Sequence, residues 1–546
     1  MRKFKFKSVV ALANSKLSVK SAAVVLATST LISALLGLFR DRLLNSYYLG
    51  TYPTGIDAYT AAFTIPDFMF FILTSGALAV SFIPVFNQRL ATGNKKSAWE
   101  LSSSLINLLA LLTLVASILI MIFADPLIRY VVSPGLDESG MVLAINMTRV
   151  IAINPFLFSI ATVITSIQQA VGRFVFYAIA PAIYNIGIII GITCFTEGIN
   201  IFGIQIFEGG IMGVAIGVIL GAIMQLIVSL IGLFGLGMDY DFKIYTRNQG
   251  FRSILKLLPA RSLDQGIDYV NGIVNTNLSS RMGAGAVRSF NQASSLHQMP
   301  VSLIGVAIST AFFPKLTEEL GKGDKHEFNN TFRQALRTII WIALPVSIVA
   351  FFGRGYITSF ISNIGNNDSN GTIASVLGTL CVAIFARSVF HIASRGFYAY
   401  QDTKTPFVVS IFAIGFTILL SVLFYLMSWG VDGLGLAQSI GAVVEIIILL
   451  YILQRRAKRE LLDKAFWRAM GRMLFAGVIT GCVAFSMTKF VPLMASDTSL
   501  VITIPKFLII AGVSFVAYLI ASYFLNLKEA APILRYFKKI LFRNVK

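Results

Sequence analysis

Long apolar stretches alternate with short polar segments along almost the whole chain. An α-helix needs about 20 consecutive apolar residues to cross a bilayer, and windows of this kind recur along the sequence. The pattern therefore predicts an all-α integral membrane protein with about 14 transmembrane helices. We expect these spans near residues 22–48, 57–86, 100–124, 143–170, 173–196, 210–236, 253–280, 286–314, 333–353, 371–399, 404–428, 433–454, 470–490 and 503–525.

The composition agrees with a membrane protein and argues against other classes. Of the 546 residues, 56% are hydrophobic and only 13% are charged, and the mean hydropathy is +0.78, whereas soluble domains carry about 25% charged residues. The formal net charge of +20 is spread over many loops, which argues against a nucleic-acid partner. The three cysteines are far apart and have no metal-ligand spacing.

Loop charges predict the orientation of the spans. Lys and Arg concentrate in alternate loops, whereas the connections 49–56, 197–209 and 429–434 contain neither residue. Cytoplasmic loops are rich in Lys and Arg, so an even number of spans with both termini in the cytoplasm fits best. The basic N-terminal segment has no clear cleavage site, which favours a retained first helix.

The sequence contains an internal repeat with a spacing of about 230 residues. IPVFNQRLATGNK (83–95) aligns without a gap with FPKLTEELGKGDK (313–325), and a second pair of segments begins at Gly213 and Gly435. The repeat predicts two pseudo-symmetric six-helix lobes in the same orientation, a layout that places a transporter's site between the lobes. The predicted N-terminal lobe is 1–236, the C-terminal lobe is 237–460, and two accessory helices with a basic tail occupy 461–546.

Charged residues interrupt the first two predicted spans. A charge at the bilayer centre costs about 2.5–3.5 kcal/mol, and such residues usually face a bundle interior or a water-filled cavity. The guanidinium of Arg40, beside Asp41, suits a phosphate or pyrophosphate. Alternatively, these two residues pair with each other or cap the helix. Asp57 fits either a binding role or an interaction with the helix dipole.

The same two spans contain candidate hinge residues. Gly37 allows the first helix to bend. Pro66 removes a backbone donor and opens the helix beside Asp67. We therefore expect a hinge at Gly37 or at Pro66 and Asp67.

Two further groups of ionisable residues lie in the second half of the chain. Arg261, Asp264 and Asp268 share one helix face by their spacing, and they form either a structural ion pair or a site for a proton or a sodium ion. Arg387 and His391 are four residues apart and suit an anionic headgroup, although a buried histidine is more often structural.

Motifs of catalysis and of nucleotide binding are absent. The sequence contains no GxSxG, HExxH or Walker A motif, which predicts a protein that is not an enzyme. Any pumping would then use an ion gradient, of Na⁺ or H⁺, or the membrane potential.

Six segments, found in a characteristic order and spacing, carry a resemblance to a known family. They are LLGLFRD (35–41), IDAYTAAFTIPDF (56–68), FIPVFNQRLATGN (82–94), GRFVFYAIAPAIYN (172–185), PVSLIGVAISTAFFPKL (300–316) and GFYAYQDTKTP (396–406). Together they resemble the lipid II flippase family MurJ/MviN, within the multidrug/oligosaccharidyl-lipid/polysaccharide exporter superfamily. The similarity covers roughly residues 20–455.

The resemblance implies a function in peptidoglycan biosynthesis, and so in cell-wall biogenesis and cell shape. Proteins of this family move undecaprenyl-pyrophosphate-linked peptidoglycan precursor across the bacterial cytoplasmic membrane by alternating access, through a cationic cavity between two lobes. The implied partners are this anionic lipid, the bilayer and proteins of cell-wall synthesis.

The resemblance also implies roles for individual residues. The family's first-helix arginine falls on Arg40, and its second-helix acid falls on Asp57. By analogy with a sodium site described in the family, Asp264, Asp268 and Asp402 are candidate cation ligands.

The chain departs from the family at three other positions. Arginine positions of the family fall on Ala34, on Phe70 or Phe71, and near Ser295. Two alternatives to a lipid II flippase therefore stay open. One is an exporter of another lipid-linked saccharide or a small cationic compound, and the other is a non-transporting scaffold for cell-wall assembly.

Overall fold

The computed structural model describes residue 14 and residues 19–75, 78–201, 204–207, 209–362, 367–457, 461–494, 496–497, 499–532 and 535. Contacts divide the chain into two compact units, Met1–Val287 (unit 1) and Arg288–Lys546 (unit 2). The repeat predicts a division after residue 236 instead. The lobe boundaries based on the repeat stay a prediction.

Unit 1 consists of helices and one small hairpin. Helices satisfy their own backbone hydrogen bonds, which is the condition for crossing a bilayer. The helices are α1 (Val19–Tyr48), α2 (Pro53–Ala62), α3 (Thr64–Phe70), α4 (Leu78–Ala91), α5 (Lys95–Pro126), α6 (Glu138–Ile151), α7 (Asn154–Ala170), α8 (Val175–Ile190), α9 (Met212–Ile231) and α10 (Gln249–Ser280). The antiparallel strands β1 (Ile199–Ile201) and β2 (Ile204–Phe207) lie between α8 and α9. Short π-helical turns follow α3 at Phe71–Ser75, α5 at Leu127–Val132 and α8 at Gly191–Phe195.

Unit 2 is helical throughout its described part. Its helices are α11 (Ala286–Val301, which begins at the end of unit 1), α12 (Ala307–Gly321), α13 (Lys325–Phe352), α14 (Arg354–Thr358), α15 (Asn367–Ala399), α16 (Lys404–Leu426), α17 (Gly430–Arg456), α18 (Lys464–Phe490) and α19 (Leu500–Phe524). A π-helical turn, Ser302–Val306, joins α11 to α12. The accessory helix α19 docks on α13, where Trp341 Nε1 donates a hydrogen bond to Ser522 Oγ at 3.1 Å.

The all-α membrane fold is confirmed. Among the described residues, 13 helical segments are long and apolar enough to cross a membrane, and each overlaps one of the predicted spans. The second segment is Pro53–Thr74, so it ends earlier than the predicted span 57–86. The predicted seventh span is present as α10, but several residues in the middle of this helix lie outside the described side chains, so it is not among the 13.

The two copies of the internal repeat form the same turn. Gly93 and Gly323 both have φ of +77°, a left-handed conformation that glycine adopts without strain. The N–H of Gly93 donates to Leu90 O at 3.1 Å, and the N–H of Gly323 donates to Leu320 O at 3.0 Å. The two segments that align in sequence therefore form the same local turn.

The residue after each of these glycines caps the next helix. Asn94 Oδ1 accepts a hydrogen bond from Ser97 N at 3.1 Å at the start of α5. Asp324 Oδ1 accepts one from Glu327 N at 2.9 Å at the start of α13. A side-chain cap of this kind is worth about 1 kcal/mol, so both repeats end one helix and start the next by the same means.

Helices α8 and α9 pack with their backbones in contact. A Cβ atom added to Gly187 would lie 2.2 Å from Gly221 Cα, and one added to Gly191 would lie 2.6 Å from Gly217 Cα. Gly187 of α8 and Gly191 of the π-helical turn after it thus meet Gly221 and Gly217 of α9, and glycines spaced by four residues let membrane helices approach most closely. No side chain separates the two backbones at these positions.

We expect Gly217→Ala to destabilise the protein by about 1–3 kcal/mol, because the added methyl group would lie 2.5 Å from Gly191 Cα and overpack the crossing. The matched control is Gly415→Ala in α16, where a new Cβ meets no atom within 4 Å. The control should be neutral or stabilising, since alanine favours helix by about 1 kcal/mol over glycine. Thermal unfolding of the purified protein in detergent measures both effects. Equal unfolding midpoints for Gly217→Ala and Gly415→Ala would contradict a close backbone contact at Gly217.

Candidate functional site

Arg40 lies in α1 and contacts two other side chains of unit 1. Its Nη2 donates to Asp41 Oδ1 at 3.0 Å and its Nε to the same oxygen at 3.3 Å, while Nη1 donates to Asn185 Oδ1 at 3.0 Å. A guanidinium has five N–H donors, so two remain for a ligand. The Arg40 side chain is 24% exposed and is therefore accessible to one.

Asn185, in α8, fixes the position of Arg40. It is buried, and its Nδ2 donates to Ser33 O in α1 and to Pro181 O, both at 3.3 Å. Gly37 lies beside the amide, since a Cβ there would be 3.9 Å from Asn185 Oδ1. The amide therefore joins α1 to α8 and orients the guanidinium. We call Arg40, Asp41 and Asn185 the arginine clamp.

Aromatic side chains continue from the arginine clamp towards α3 and α10. Tyr184 is close enough to Arg40 to interact with its charge, and its ring meets Phe158 with centroids 5.2 Å apart. Phe70 meets the other side of Phe158 at 5.7 Å. Phe71 stacks on Tyr269 at 4.5 Å. These five rings form an aromatic row within unit 1.

Asp67 lies beside this row and is half-buried. Tyr184 and Tyr269 are close enough to interact electrostatically with its carboxylate. In the described part of unit 1, no lysine or arginine forms an ion pair with Asp67. A carboxylate without a basic partner inside a membrane segment is costly and is usually functional.

The two candidate hinges differ in local structure. Helix α1 runs without interruption through Gly37. Around Pro66, by contrast, the helix is interrupted at Phe63 and changes to a π-helical turn at Phe71. Irregular turns of this kind are common where helices bend, so the local structure favours Pro66 and Asp67 over Gly37. Movement at either place stays a prediction.

Asp57 is completely buried at the start of α2. Its Oδ2 accepts a hydrogen bond from Gly285 N at 2.7 Å, which holds the connection between α10 and α11. A ligand could reach this carboxylate only if that contact opened. The geometry is thus that of a structural acceptor, and the predicted binding role remains untested.

Arg387 in α15 forms an ion pair inside unit 2. Its Nη1 donates to Glu445 Oε2 of α17 at 3.0 Å, and Ser410 Oγ of α16 donates to Glu445 Oε1 at 2.7 Å. Glu445 is 1% exposed, whereas the Arg387 side chain is 23% exposed. The pair neutralises the buried acid and leaves one edge of the guanidinium accessible.

His391 lies one helical turn from Arg387 and is half-buried. A Cβ added to Gly305 would be 2.9 Å from His391 Cδ2, so the imidazole packs on the π-helical turn between α11 and α12. Its ring also meets Phe390, with centroids 5.7 Å apart. Arg387 and His391 thus both lie on α15, but His391 is engaged in packing.

The sequence predicts a cation site from Asp264, Asp268 and Asp402, with Arg261 beside them. Two of these four side chains lie outside the described ones. These are Arg261 and Asp264, of which the structure gives only the helix α10. Asp268 on the same helix is exposed. Among the described side chains, no three His, Cys, Asp or Glu residues lie close enough together to hold a metal ion.

Asp402, the fourth candidate, lies between α15 and α16 and already has partners. Its Oδ1 accepts from Thr405 N at 3.0 Å, and its Oδ2 accepts from Thr405 Oγ1 at 2.7 Å and Arg456 Nη2 at 2.6 Å. Burial alone would raise the pKa of Asp402, but these hydrogen bonds and the guanidinium lower it to about 2. A carboxylate neutralised by arginine does not fit a sodium site.

Comparison with known proteins places this site in a family context. A family model described as lipid II flippase MurJ matches residues 45–504. The chain belongs to the lipid II flippase MurJ family. The family inferred from the six sequence segments is therefore confirmed. Asp57 lies inside the matched range, whereas Arg40 and Asp41 precede it.

Relatives and solved structures agree with this assignment. The lipid II flippase MurJ of Burkholderia cenocepacia is 27% identical over 436 residues, which cover 78% of this chain and 82% of that protein. The probable lipid II flippase MurJ of Borreliella burgdorferi is 24% identical over 500 residues, covering 91% and 94%.

Two solved structures share the fold. A lipid II flippase MurJ in an inward closed conformation superposes with a TM-score of 0.72 at 22% identity, covering 96% of this chain and 99% of that one. An inward-facing MATE family transporter of the MOP superfamily gives a TM-score of 0.64 at 19% identity, covering 80% and 98%. The fold is thus that of MurJ and, more distantly, of MATE transporters.

The positions where this chain departs from the MurJ pattern have identifiable surroundings. Phe70 and Phe71, one of which falls on a second-helix arginine position by the resemblance, both belong to the aromatic row. Ala34 and Ser295 are exposed. These positions therefore carry aromatic or small, uncharged side chains.

Three residues that bind the charged side chains of these sites could not be recognised as their partners from the sequence alone. Asn185 ends the segment GRFVFYAIAPAIYN, and an amide at the end of an apolar run is the only local signal. Glu445 is an isolated acid in an apolar span, which signals a buried partner but does not identify it. Ser410 carries no signal at all.

We expect Glu445→Ala to destabilise the protein by about 3–5 kcal/mol, because it leaves Arg387 without its buried counter-charge. The double variant Arg387→Met, Glu445→Leu should recover most of this loss. Denaturant unfolding in detergent micelles gives the free energies. The control Glu318→Ala removes an exposed ion pair with Lys322 and should change stability by less than about 1 kcal/mol. If the double variant were as unstable as Glu445→Ala, the loss of stability could not come from an unneutralised Arg387.

The low pKa of Asp402 predicts a pH-dependent contribution to stability. An acid whose pKa is lowered on folding stabilises the folded state above its unfolded pKa, and loses this effect as the pH falls towards the folded value. Asp402→Asn should therefore be less stable than the unmodified protein near neutral pH, and this difference should shrink between about pH 4 and about pH 2. Thermal midpoints measured across this range check the prediction, and a difference independent of pH would contradict it.

Proposed function

We propose that this protein is a bacterial lipid II flippase. It translocates the undecaprenyl-pyrophosphate-linked peptidoglycan precursor across the cytoplasmic membrane by alternating access. The observation that carries this proposal is the match of the MurJ family model over residues 45–504. A multi-pass membrane fold shared with MurJ supports it.

In this proposal the arginine clamp binds the pyrophosphate. Arg40 keeps two N–H donors free, and Asn185 holds the guanidinium in place. Arginine binds phosphate oxygens through paired, charge-assisted hydrogen bonds. Asp41 partly neutralises the charge of Arg40, so the pyrophosphate binds weakly enough to be released.

The aromatic row has a second role in the proposed mechanism. Phe70 and Phe71 stand where the family pattern has arginine, so this chain offers the headgroup fewer cations than that pattern implies. Aromatic faces pack well against the apolar faces of sugar rings, and the tyrosine hydroxyls donate hydrogen bonds. We expect recognition to depend on these contacts together with one main cation, Arg40, with Arg387 accessible in unit 2.

Energy for the cycle comes from an ion gradient or the membrane potential in this proposal, since the chain lacks a nucleotide-binding motif. The coupling ion is H⁺ or Na⁺, with Asp264 and Asp268 as candidate ligands. Both termini lie in the cytoplasm, as the loop charges indicate. The protein acts as a transporter and not as an enzyme, alongside proteins of cell-wall synthesis.

A second candidate function is export of a small cationic compound. Asp67, without a basic partner among the described residues and flanked by Tyr184 and Tyr269, is the observation that favours it. A carboxylate set among aromatic rings attracts organic cations. The fold shared with a MATE family transporter is compatible with this alternative.

We expect Arg40→Ala to lower the initial rate of lipid II translocation by about tenfold or more. The reason is that the variant loses one to two charge-assisted hydrogen bonds to the substrate. Arg40→Lys should keep part of the activity, because an ammonium retains the charge but not the forked geometry. The measurements are a translocation assay in proteoliposomes and rescue of a host depleted of its own flippase. Arg129→Ala, which removes an exposed ion pair with Glu138 at 3.2 Å, is the control and should leave both unchanged.

Two results would count against this function. Full activity of Arg40→Ala would exclude binding at the arginine clamp. Absence of lipid II translocation, together with cation efflux that Asp67→Asn abolishes, would support the second candidate instead.

A further inference from the structure

A polar cavity of about 600 Å³ lies at one end of unit 1. Its walls come from the end of α4, the first turns of α5 and the segment 244–249 that leads into α10. Eight of the nine lining residues are polar or charged, and Ile244 is the exception. The volume is within the range of about 300–1,000 Å³ that is usual for ligand sites, and the polar lining favours a hydrophilic group.

The floor of the cavity is held in place by a network of hydrogen bonds. Asn248 Nδ2 donates to Ser97 O and to Ser97 Oγ, both at 3.2 Å. Asn248 Oδ1 accepts from Gly250 N at 3.1 Å and so caps α10. Tyr245 N donates to Ser104 Oγ of α5 at 2.8 Å. Asn248, Ser97 and the backbone at Tyr245 are thus held in place by the protein itself.

Three charged side chains line this floor without neutralising one another. Arg89 donates one hydrogen bond from Nη1 to Ser97 Oγ, and its buried Nε has no partner among the described residues. Arg247 is exposed and Glu100 is half-buried. In the part of the chain that the structure describes, none of these three side chains forms an ion pair. The cavity therefore combines two unneutralised guanidiniums with one carboxylate.

These groups match a phosphate ester whose alcohol carries a hydrogen-bond donor. Two arginines can bind the phosphate oxygens through charge-assisted hydrogen bonds. Glu100 would repel a bare phosphate, but it can accept a hydrogen bond from a hydroxyl or ammonium group beside the phosphate. The net charge of +1 of the three side chains favours an ester with one negative charge over a purely cationic ligand.

The surroundings of the cavity place it at the membrane surface. In the segment just before it, Phe242 is 85% exposed and meets Tyr240 with ring centroids 5.1 Å apart. The Tyr240 hydroxyl donates to Asn107 Oδ1 at 2.5 Å, so the pair is anchored to α5. Exposed aromatic residues next to basic ones are typical of the headgroup region of a bilayer. A lipid is therefore favoured over a soluble ester.

We propose that this cavity binds the headgroup of an anionic phospholipid such as phosphatidylglycerol. Arg89 and Arg247 bind its phosphate, and Glu100 accepts a hydrogen bond from its glycerol hydroxyl. The bound lipid ties the segment 244–249 to α4 and α5 and so anchors the start of α10. This site is separate from the arginine clamp and does not depend on which substrate the protein transports.

Hydrogen–deuterium exchange of the full chain in nanodiscs tests the proposal. Amides of the segment 239–252 should exchange at least about threefold more slowly in nanodiscs containing phosphatidylglycerol than in nanodiscs of phosphatidylcholine alone. Arg247→Gln should abolish this difference, because Arg247 lines the cavity, is exposed and forms no ion pair with another described residue. Lys243→Gln removes a positive charge from the same segment outside the cavity and should keep the difference.

Each other outcome overturns the proposal. Equal exchange in the two kinds of nanodisc, or protection that survives Arg247→Gln, would exclude a phospholipid at this site. Loss of protection in Lys243→Gln as well would indicate general attraction to an anionic surface rather than a specific site. Equal protection by soluble glycerol 3-phosphate, added to phosphatidylcholine nanodiscs, would assign the cavity to a soluble ester. Thermal unfolding of both variants checks that they fold.

Discussion

The structure depends on compensating ionic side chains within segments that cross a membrane. A charge in such a segment is stable only with a partner that replaces the lost water. Arg40 meets this condition through Asp41 and Asn185, and Glu445 meets it through Arg387 and Ser410. In both cases one partner lies on another helix, so the same contacts that neutralise the charge also align the helices.

Most of the fold could be predicted from the sequence because the signals are local. Hydropathy identifies a membrane helix from about 20 neighbouring residues, and the 13 apolar helical segments all coincide with predicted spans. The repeat also identified the two segments that contain Gly93 and Gly323, although their shared left-handed turn was not predicted. The helix α10 likewise lies at a predicted span, 253–280.

The partners within the sites could not be predicted, because they are distant in sequence. Arg40 and Asn185 are 145 residues apart, and Arg387 and Glu445 are 58 residues apart. Sequence spacing identifies residues on one helix face but not the side chains of the helix opposite. Asp402 was a candidate cation ligand by analogy with the family, and no sequence signal indicated its ion pair with Arg456. Arg40 and Arg387 could therefore be predicted as candidate site residues, whereas their hydrogen-bond and ion-pair partners Asn185 and Glu445 could not.

The close crossing of α8 and α9 limits how unit 1 can change shape. Because backbone touches backbone at two levels, Gly187 with Gly221 and Gly191 with Gly217, neither helix can slide or rotate without a collision of main-chain atoms. The helices α8 and α9 must therefore move together as one rigid body. Since Asn185 belongs to α8 and accepts a hydrogen bond from Arg40, a tilt of α8 and α9 would move the guanidinium of Arg40 with them.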